Sequence, residues 1–380
     1  MTKVMRLDSV CEITMGQAPS GDTYNNSNEG LPLIAGAGDF GEIYPKPKKF
    51  TTGAWKKCRP GDIVLGIRAT IGEKVWSDAE YCLGRGVAGL RPKSGLDSVF
   101  LWHWLSHHAP TLAAKGKGAT FKQVNRDDIG SLEIALPPVE EQRRIAAILD
   151  KADELRAKRK AALTLLDNMA QSNFVDIFGD PATNRKGWQI GTIGDLLVSA
   201  SYGTSEKSMP DGEVPVLRMN NITRTGEVDL SDLKFMNLSE SERERYLVRD
   251  GDILFNRTNS VELVGKTALF RHEVPMAYAG YLIRLRVGGG NRPEYLSGFL
   301  NTPYAKKVLR GMCKSIIGMA NINATEIKAM KIACPPLKFQ AEYAERIDGL
   351  RKAKALHRRM LTELDALFAS LQYHAFRGTQ

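Results

Sequence analysis

The chain has 380 residues, a length typical of two or three domains, and its 43% hydrophobic and 25% charged content is that of an ordinary folded protein. Its formal net charge of +10 favours a polyanionic partner, nucleic acid first, with an ordinary basic enzyme as the alternative. No run of about 18 apolar residues predicts a membrane span, and the N-terminus lacks the apolar core of a signal peptide, so we expect a cytoplasmic location and no membrane partner.

Residues 1–136 alternate short apolar runs with Gly and Pro, a pattern that predicts short strands joined by turns. Such runs lie at 31–34, 62–65 and 87–90. A helical pattern follows over 97–114. The first globular unit is therefore predicted to be α+β.

A long helix is predicted next, because neither Gly nor Pro interrupts residues 139–178. Pro138 suits the first turn of a helix, and acidic Glu140 and Glu141 favour its N-terminus. Positions spaced alternately four and three residues apart form a predicted heptad seam. Its members are Ile148, Ala152, Leu155, Arg159, Ala162, Leu166 and Met169.

The same order of elements then repeats. Gly-Asp-Ile-Val-Leu at 61–65 recurs as Gly-Asp-Ile-Leu-Phe at 251–255, and the Pro-Pro pair that precedes Gln142 recurs before Gln340, 198 residues later. A repeat of this kind indicates duplication of one structural unit. We divide the chain into a globular unit (1–136), a central helix (137–180), a second globular unit (181–334) and a distal helix (335–380).

The second long helix has its own predicted seam, at Tyr343, Ile347, Leu350, Lys354, His357, Leu361, Leu364, Phe368 and Leu371. Neither helix can bury its seam alone, so we expect the two to pack on each other as a coiled coil. Antiparallel packing is favoured, because parallel packing would crowd both globular units at one end, and it implies an approximate two-fold relation within one chain. Arg159, Lys354 and His357 interrupt the seams and form either a solvated stretch or a device that sets the register.

The sequence contains no complete catalytic or metal-binding motif. Residues 301–304 (Asn-Thr-Pro-Tyr) resemble the Asn-Pro-Pro-Tyr box of adenine methyltransferases but lack its second Pro. His103 and His107 have a spacing that could hold a metal, without an apparent third ligand. Residues 326–328 (Glu-Ile-Lys) resemble part of a nuclease motif that the first half does not repeat. Five cysteines without a C-x-x-C pair argue against a zinc ribbon.

Basic and amide side chains occupy equivalent loops of the two globular units. These side chains read base edges in the DNA major groove, and Gly beside Lys lets the backbone approach phosphates. For any single residue, a solvated surface loop is the alternative. The candidates for DNA binding are Arg68, Arg85, Lys115, Lys117, Lys122 and Gln123 in the first unit, and Arg218, Asn220, Asn221, Arg257, Asn259 and Lys314 in the second.

The chain resembles, over essentially its full length, the specificity subunit of type I restriction–modification enzymes. The segments that carry the resemblance are 137–145, 174–181, 251–260, 264–266 and 370–378. The resemblance implies that the globular units are target-recognition domains, that the long helices are central and distal spacers, and that the DNA target is bipartite and asymmetric with a nonspecific gap.

It also implies assembly with two methyltransferase subunits and two restriction subunits. Catalysis, S-adenosylmethionine, ATP and Mg²⁺ would belong to those partners, with no catalytic residue, cofactor or metal in this chain. Two modest departures occur: Lys338-Phe339 stands in place of Glu140-Glu141, and residues 256–259 stand in place of 66–70. Because of the second departure, contact residues are not transferred one to one. The competing hypotheses are a DNA methyltransferase or nuclease in its own right, and a coiled-coil adaptor without a DNA role.

Overall fold

The structure, a computed structural model, describes residues 3–118, 122–316 and 319–376, with the backbone alone for 314–316 and 319. The chain divides into two compact units. Unit 1 comprises Met1–Arg159 and Met360–Gln380, and unit 2 comprises Lys160–Arg359. Each unit thus contains a globular part and a portion of each long helix. The four-segment division of the sequence stays a prediction about domain boundaries.

The globular part of unit 1 consists of short strands and helices. Its strands are β1 (Lys3–Arg6), β2 (Cys11–Met15), β3 (Tyr24–Asn25), β4 (Leu31–Ile34), β5 (Lys49–Thr51), β6 (Lys57–Cys58), β7 (Ile63–Gly66), β8 (Lys74–Trp76), β9 (Tyr81–Leu83), β10 (Val87–Pro92) and β11 (Glu133–Leu136). The α-helices are α1 (Leu7–Val10), α2 (Ser98–Ala114), α3 (Arg126–Gly130) and the first half of the long helix α4 (Val139–Phe178). Short 3-10 helices lie at Gly21–Thr23 and Ala37–Asp39.

Unit 2 has the remaining strands and helices. Its strands are β12 (Ile190–Thr192), β13 (Leu197–Tyr202), β14 (Val214–Leu217), β15 (Lys234–Met236), β16 (Leu247–Val248), β17 (Ile253–Asn256), β18 (Thr258–Asn259), β19 (Thr267–Leu269), β20 (Met276–Tyr278), β21 (Leu282–Val287), β22 (Lys314–Ile316), β23 (Met319–Asn321) and β24 (Lys331–Ala333). Its helices are α5 (Glu240–Tyr246), α6 (Pro293–Leu300), α7 (Pro303–Met312), α8 (Ala324–Ala329), the second half of α4 and the first part of the long helix α9 (Leu337–Phe376), with 3-10 helices at Ile193–Leu196 and Met219–Asn221.

The two globular parts share one topology. The antiparallel sheet β2-β10-β7-β8 of unit 1 corresponds to β13-β21-β17-β19 of unit 2. The parallel pair β4 and β9 corresponds to β14 and β20, and the pair β1 and β11 corresponds to β12 and β24. The α+β class and the internal repeat of two similar units are confirmed.

The repeated Gly-Asp pair has a structural role in both units. Each glycine has a positive φ, +86° and +89°, in the turn that leads into the buried strand. Asp62 then accepts a hydrogen bond from Arg91 Nε at 2.7 Å, and Asp252 accepts the corresponding bond from Arg286 Nε at 2.7 Å. The aspartates therefore join two neighbouring strands of the same sheet, which explains why the pair recurs.

The repeated glutamine attaches each long helix to a globular part. Gln142 is fully buried, and its Oε1 accepts a hydrogen bond from the Asp97 N–H at the start of α2, at 2.8 Å. Gln340 is equally buried and accepts from the Arg292 N–H at the start of α6, at 2.9 Å. Because a helix start has N–H groups without intrahelical partners, each glutamine satisfies one of them while fixing the long helix in place.

The long helices pair in antiparallel orientation in each unit. In unit 1, Arg156 of α4 lies 2.6 Å from Asp365 of α9, while the earlier Leu149 shares a buried core with the later Phe376. In unit 2, the order along α9 is reversed relative to α4, because Lys354 contacts Asp167 while the earlier Tyr343 packs against Phe178. The predicted antiparallel pairing is confirmed.

The predicted seam of α4 is wrong at three positions. Ile148, Leu155 and Met169 are 40%, 37% and 48% exposed, whereas Leu149 and Ala152 are buried. The reason is that α4 packs both on α9 and on the globular part, where Leu149 joins a core with Phe100 and Trp104 of α2. An apolar face that serves two neighbours is wider than a heptad stripe and is centred differently. On α9, the predicted positions Tyr343 and Leu350 are buried as expected. Lys354, for which a solvated stretch was one of two alternatives, is buried as well.

Candidate nucleic-acid interface

The candidate residues of unit 1 meet where the chain leaves strand β7. Antiparallel bridges join Arg68 to Gln123 and Gln123 to Lys117. The Lys117 N–H donates to the Gln123 carbonyl at 3.0 Å, and the Gln123 N–H donates to the Lys117 carbonyl at 2.9 Å. Lys117 and Lys122 are exposed, while Arg68 and Gln123 are half-buried. The structure therefore places two lysines, an arginine and a glutamine on one edge.

Two further candidates of unit 1 differ in their surroundings. Arg85 is exposed in the turn between β9 and β10, and the carbonyl of the next residue accepts the Ile67 N–H at 3.0 Å, so Arg85 lies beside the same edge. The Lys115 amine instead donates to the Asp128 carbonyl at 3.4 Å and to the Ser131 hydroxyl at 3.3 Å. It therefore stabilises the end of α3, and a DNA contact by Lys115 stays a prediction with a competing structural role.

Unit 2 builds the equivalent edge as a small sheet, ordered β18-β23-β22. Thr258 pairs with Asn321, which in turn pairs with Lys314. This register repeats the joining of Arg68 and Lys117 to Gln123 in unit 1. Lys314 thus holds the slot of Lys117 in the backbone, although its side chain lies outside the described part of the chain.

Arg257 of this edge is held by an aromatic neighbour. Its guanidinium lies over the ring of Tyr202, 4.9 Å from the ring centroid, an attractive cation–π arrangement. Its backbone N–H donates to the Tyr281 carbonyl at 3.0 Å, and its buried Nε has no hydrogen-bond partner among the described residues. Tyr202, whose hydroxyl accepts the Ala324 N–H at 2.9 Å, was missed by sequence reasoning, since no motif marks it. The stacking holds the guanidinium in one orientation.

Asn259 lies in the next position of the same edge. Its backbone pairs with Ala320, and its Oδ1 accepts the Ser260 N–H at 2.9 Å. The side chain is half-buried. Its oxygen therefore shapes the turn after β18, and any base contact by Asn259 stays a prediction.

The remaining candidates of unit 2 belong to the 3-10 turn after β14. Asn221 is buried: its Oδ1 accepts the Arg218 N–H at 2.9 Å, and its Nδ2 donates to the Asp229 and Asp232 carbonyls at 2.8 and 2.9 Å. Arg218 forms an ion pair with the Asp232 carboxylate at 2.8 Å. Asn220 is exposed. Asn221 thus stabilises the turn, and Asn220 is the amide of this turn that faces solvent.

Lys266 links this turn to the end of β17. Its Nζ donates to the Met219 carbonyl at 2.7 Å, and its own carbonyl accepts the Asn256 N–H at 2.8 Å. Burial lowers the pKa of Lys266, and the nearby positive charge of Arg224 lowers it further. The turn and the strand end of unit 2 are therefore held together by one half-buried lysine.

The side chains that suggested catalysis or metal binding have structural partners. His103 is buried with its Nε2 2.7 Å from Asp150, and the ring of His107 packs 5.5 Å from that of Phe376. Asn301 donates to the Thr267 carbonyl at 2.9 Å, and Glu326 accepts the Asn323 N–H at the start of α8. Within the described ranges, no group of three or more His, Cys, Asp or Glu residues could hold a metal ion, and no helix is long and apolar enough to cross a membrane.

Comparison with known protein families gives two matches along the chain. Residues 2–165 and 185–366 both match the family model described as the type I restriction modification DNA specificity domain. A putative type I restriction enzyme MjaX specificity subunit of Methanocaldococcus jannaschii is 38% identical over 151 residues, which cover 39% of this chain and 36% of that protein, little more than a third of its length. The EcoKI specificity subunit of Escherichia coli K12 is 27% identical over 384 residues, which cover 92% of this chain and 82% of that protein.

Solved structures show the same fold. The S subunit of a type I restriction–modification system from M. genitalium superimposes with a TM-score of 0.62 at 15% identity, covering 99% of this chain and 96% of that one. A chain from a study of complex assembly and conformational transition of the type I system gives a TM-score of 0.61 at 19% identity, covering 100% and 98%. At such identities the likeness concerns the fold alone.

Proposed function

We propose a two-part reading function for this chain, which belongs to the type I restriction–modification DNA specificity family. DNA sequence recognition is the activity of that family. In our proposal, each globular part reads a few base pairs, called here a half-site, and the two half-sites differ and are separated by a gap that the protein does not read. The observation that carries the proposal is the occurrence, in both units, of the same edge with different side chains.

The chemistry of the two edges fits base reading. Arg68 and Arg257 can each donate two parallel hydrogen bonds to a guanine, and Gln123 can pair in the same bidentate manner with an adenine. Lys117 and Lys122 are exposed beside them and suit phosphate contacts, which position a protein on DNA without reading its sequence. Because the side chains at equivalent slots differ between the units, the half-sites are expected to differ, giving an asymmetric target.

The paired long helices are proposed to set the gap. Each is 40 residues long, about 60 Å at 1.5 Å per residue. Two readers of major-groove edges on one face of a duplex lie one turn apart, about 34–36 Å, or a multiple of it. A helix pair of this length is sufficient for such a separation.

Catalysis is assigned in this proposal to partner subunits. Two methyltransferase subunits would bind S-adenosylmethionine and flip the target adenine out of the duplex. Two restriction subunits would use ATP and Mg²⁺ in the complete complex. This chain would contribute recognition and positioning in the cytoplasm, without a cofactor of its own.

A genome-wide map of methylated adenines tests the function. We expect one interrupted, asymmetric motif to be methylated in cells that carry the gene and unmethylated after its deletion. An unchanged map would contradict the proposal, and so would loss of an uninterrupted or palindromic motif.

The purified chain alone separates recognition from catalysis. With S-adenosylmethionine and DNA it should transfer no methyl group, and with Mg²⁺ it should not cut. It should nevertheless shift DNA in a gel in a salt-dependent manner. Methyl transfer by the isolated chain would favour the hypothesis that it is itself a DNA methyltransferase. Absence of any DNA binding would favour the hypothesis of a coiled-coil adaptor.

A further inference from the structure

A buried cation lies at the middle of the distal helix. Lys354 of α9 is 8% exposed, and its Nζ lies 2.6 Å from Asp167 Oδ1 of α4. The same amine lies 3.2 Å from Glu227 Oε1, which belongs to the globular part of unit 2. Arg358, one turn further along α9, also pairs with Glu227. Two cations of α9 therefore meet one carboxylate from α4 and one from the globular part.

The contact between the helices has an equivalent in unit 1. Arg156 and Asp365 lie 2.6 Å apart. Lys354 follows Arg156 by 198 residues, and Asp365 follows Asp167 by the same 198 residues. The two ion pairs thus occupy the same positions of the internal repeat, with the roles of α4 and α9 exchanged.

These pairs specify the register of the helices. Sliding one helix by a heptad would place Lys354 opposite Lys160 in one direction and opposite Phe174 in the other. In the first case Arg156 would face Arg358. Each displacement leaves a partly buried cation without its carboxylate, which is strongly unfavourable. A charged residue within an apolar seam is a known means of fixing register.

Glu227 adds a contact that differs between the units. In unit 1, the second carboxylate on the cation is Asp153 of the same helix, 2.6 Å from Arg156. In unit 2, it is Glu227, from a different part of the fold. Here the ion pair between the helices is extended to the recognition domain, and the domain is thereby attached to α9.

The loop that presents Glu227 is well fixed. The Glu227 N–H donates to Thr223 Oγ1 at 2.9 Å, and the Thr223 N–H donates to the Glu227 carbonyl at 2.9 Å. Gly226 has φ of +84°, and a Cβ there would lie 2.6 Å from Asn301 Nδ2 and 3.1 Å from the Thr267 carbonyl. The loop therefore packs against the domain core. A contact made by Glu227 consequently holds the domain itself and not merely this loop.

The contact supplies a second point of attachment. Gln340 already joins α9 to the start of α6 in the same unit. Lys354 follows Gln340 by 14 residues, about 21 Å along the helix at 1.5 Å per residue. At the Gln340 end, Phe178 and Tyr343 of the long helices also share a buried core with Tyr295 of α6. The Glu227 contact attaches the domain about 21 Å from that end, where it opposes tilting of the domain away from the helix.

We propose that Glu227 is a positioning residue that clamps the second recognition domain to the helix pair and so restricts the DNA target to one gap length. The proposal rests on the two-part reading function. Glu227 reads no base in this scheme. Its loss should therefore leave the sequences of both half-sites unchanged and relax the distance between them.

Selection from a random duplex library by the full-length chain tests this clamp. Wild type should enrich one interrupted motif with one gap. Glu227→Gln should enrich the same two half-sites at neighbouring gaps too, with the preference for the wild-type gap reduced about fivefold, which corresponds to about 1 kcal/mol. Arg358→Gln, which leaves the contact between Lys354 and Glu227, should give a smaller change in the same direction.

Glu213→Gln is the matched control. It removes another carboxylate of unit 2, whose partner is Arg243 at 2.9 Å, and should retain the wild-type gap. The clamp is overturned if Glu227→Gln keeps the wild-type gap preference, or if it loses both half-sites while its thermal unfolding matches wild type. If wild type itself enriches no interrupted motif, the proposed function fails instead, and the two failures are distinct.

Discussion

Arg257 offers the sharpest test of base reading by a single side chain. Its stacking on Tyr202 orients the guanidinium before DNA binds, so little order is lost on binding. Arg257→Ala should weaken binding to the second half-site by about 1–3 kcal/mol and relax its sequence preference, as expected for a bidentate contact. Competition binding with mutated half-sites measures both effects.

The control for Arg257 is Arg245→Ala, which removes an equal charge from helix α5 of the same unit. It should reduce affinity slightly and equally for all sequences. Weaker binding at both half-sites in Arg257→Ala would indicate a folding defect and would argue against a base contact.

Lys117 and Lys122 are expected to bind phosphates. Replacing both by Gln should weaken binding to every sequence alike, and the slope of log binding constant against log salt should become less steep by about 0.9 for each phosphate that is no longer neutralised. Lys115→Gln is the matched control, because the Lys115 amine is already bonded to Asp128 and Ser131. An equal change of slope in the control would contradict the different roles of these lysines.

The sequence could predict that the candidate residues occupy equivalent loops of the two units, but it could not predict their individual surroundings, and DNA binding by the set stays a prediction. The basic and amide residues of these loops are visible in the sequence, whereas the pairing of Arg68 with Gln123 is seen in the structure alone. An amide that reads a base and an amide that stabilises a turn are chemically the same, as Asn221 illustrates. The two roles are distinguished only by the hydrogen-bond partners of the amide, which lie further along the chain.

At the level of elements, the long helices could be predicted almost to the residue, whereas the buried face of α4 could not. Uninterrupted helix formers and the Pro-Pro start determine the bounds, and these are local features. The buried face depends on α2 as well as α9, and a heptad count takes account of one neighbour alone. Strands as short as β18, β22 and β23 contain too few residues to show the alternation of apolar and polar side chains that predicts a strand.

Leu149 and Ile148 form a matched pair for testing that face. Leu149 is buried, so Leu149→Ala should lower the free energy of unfolding by about 2–5 kcal/mol, because it removes buried apolar surface and leaves a cavity. Ile148 is exposed, and Ile148→Ala should cost under about 1 kcal/mol. Urea unfolding of the two variants measures the difference. A greater destabilisation by Ile148→Ala would restore the seam expected from the heptad pattern.

At the scale of the whole molecule, the duplication accounts for the two-part reading function that we propose. One topology occurs twice, so one scaffold presents two equivalent edges that differ in their side chains, and in our proposal each edge reads one half-site. The ion pairs Arg156–Asp365 and Lys354–Asp167 obey the same repeat and hold the helices in one register. The repeat itself could be read from the sequence. The pairing of these charges could not, because each pair joins residues that are distant in the chain.

The helix pair, in our proposal, measures the distance between two half-sites. Inserting one heptad after Ala161 and one after Arg359, positions related by the repeat, retains both ion pairs and the contacts of Glu227. It lengthens the helices by about 10.5 Å, close to 3 base pairs.

The decisive measurement is a map of methylated adenines in cells whose only copy of the gene contains both insertions. We predict that the gap of the methylated motif increases by about 3 base pairs, or that methylation at interrupted motifs disappears, while the half-site sequences do not change. An unchanged gap with full methylation would contradict the measuring role of the helix pair.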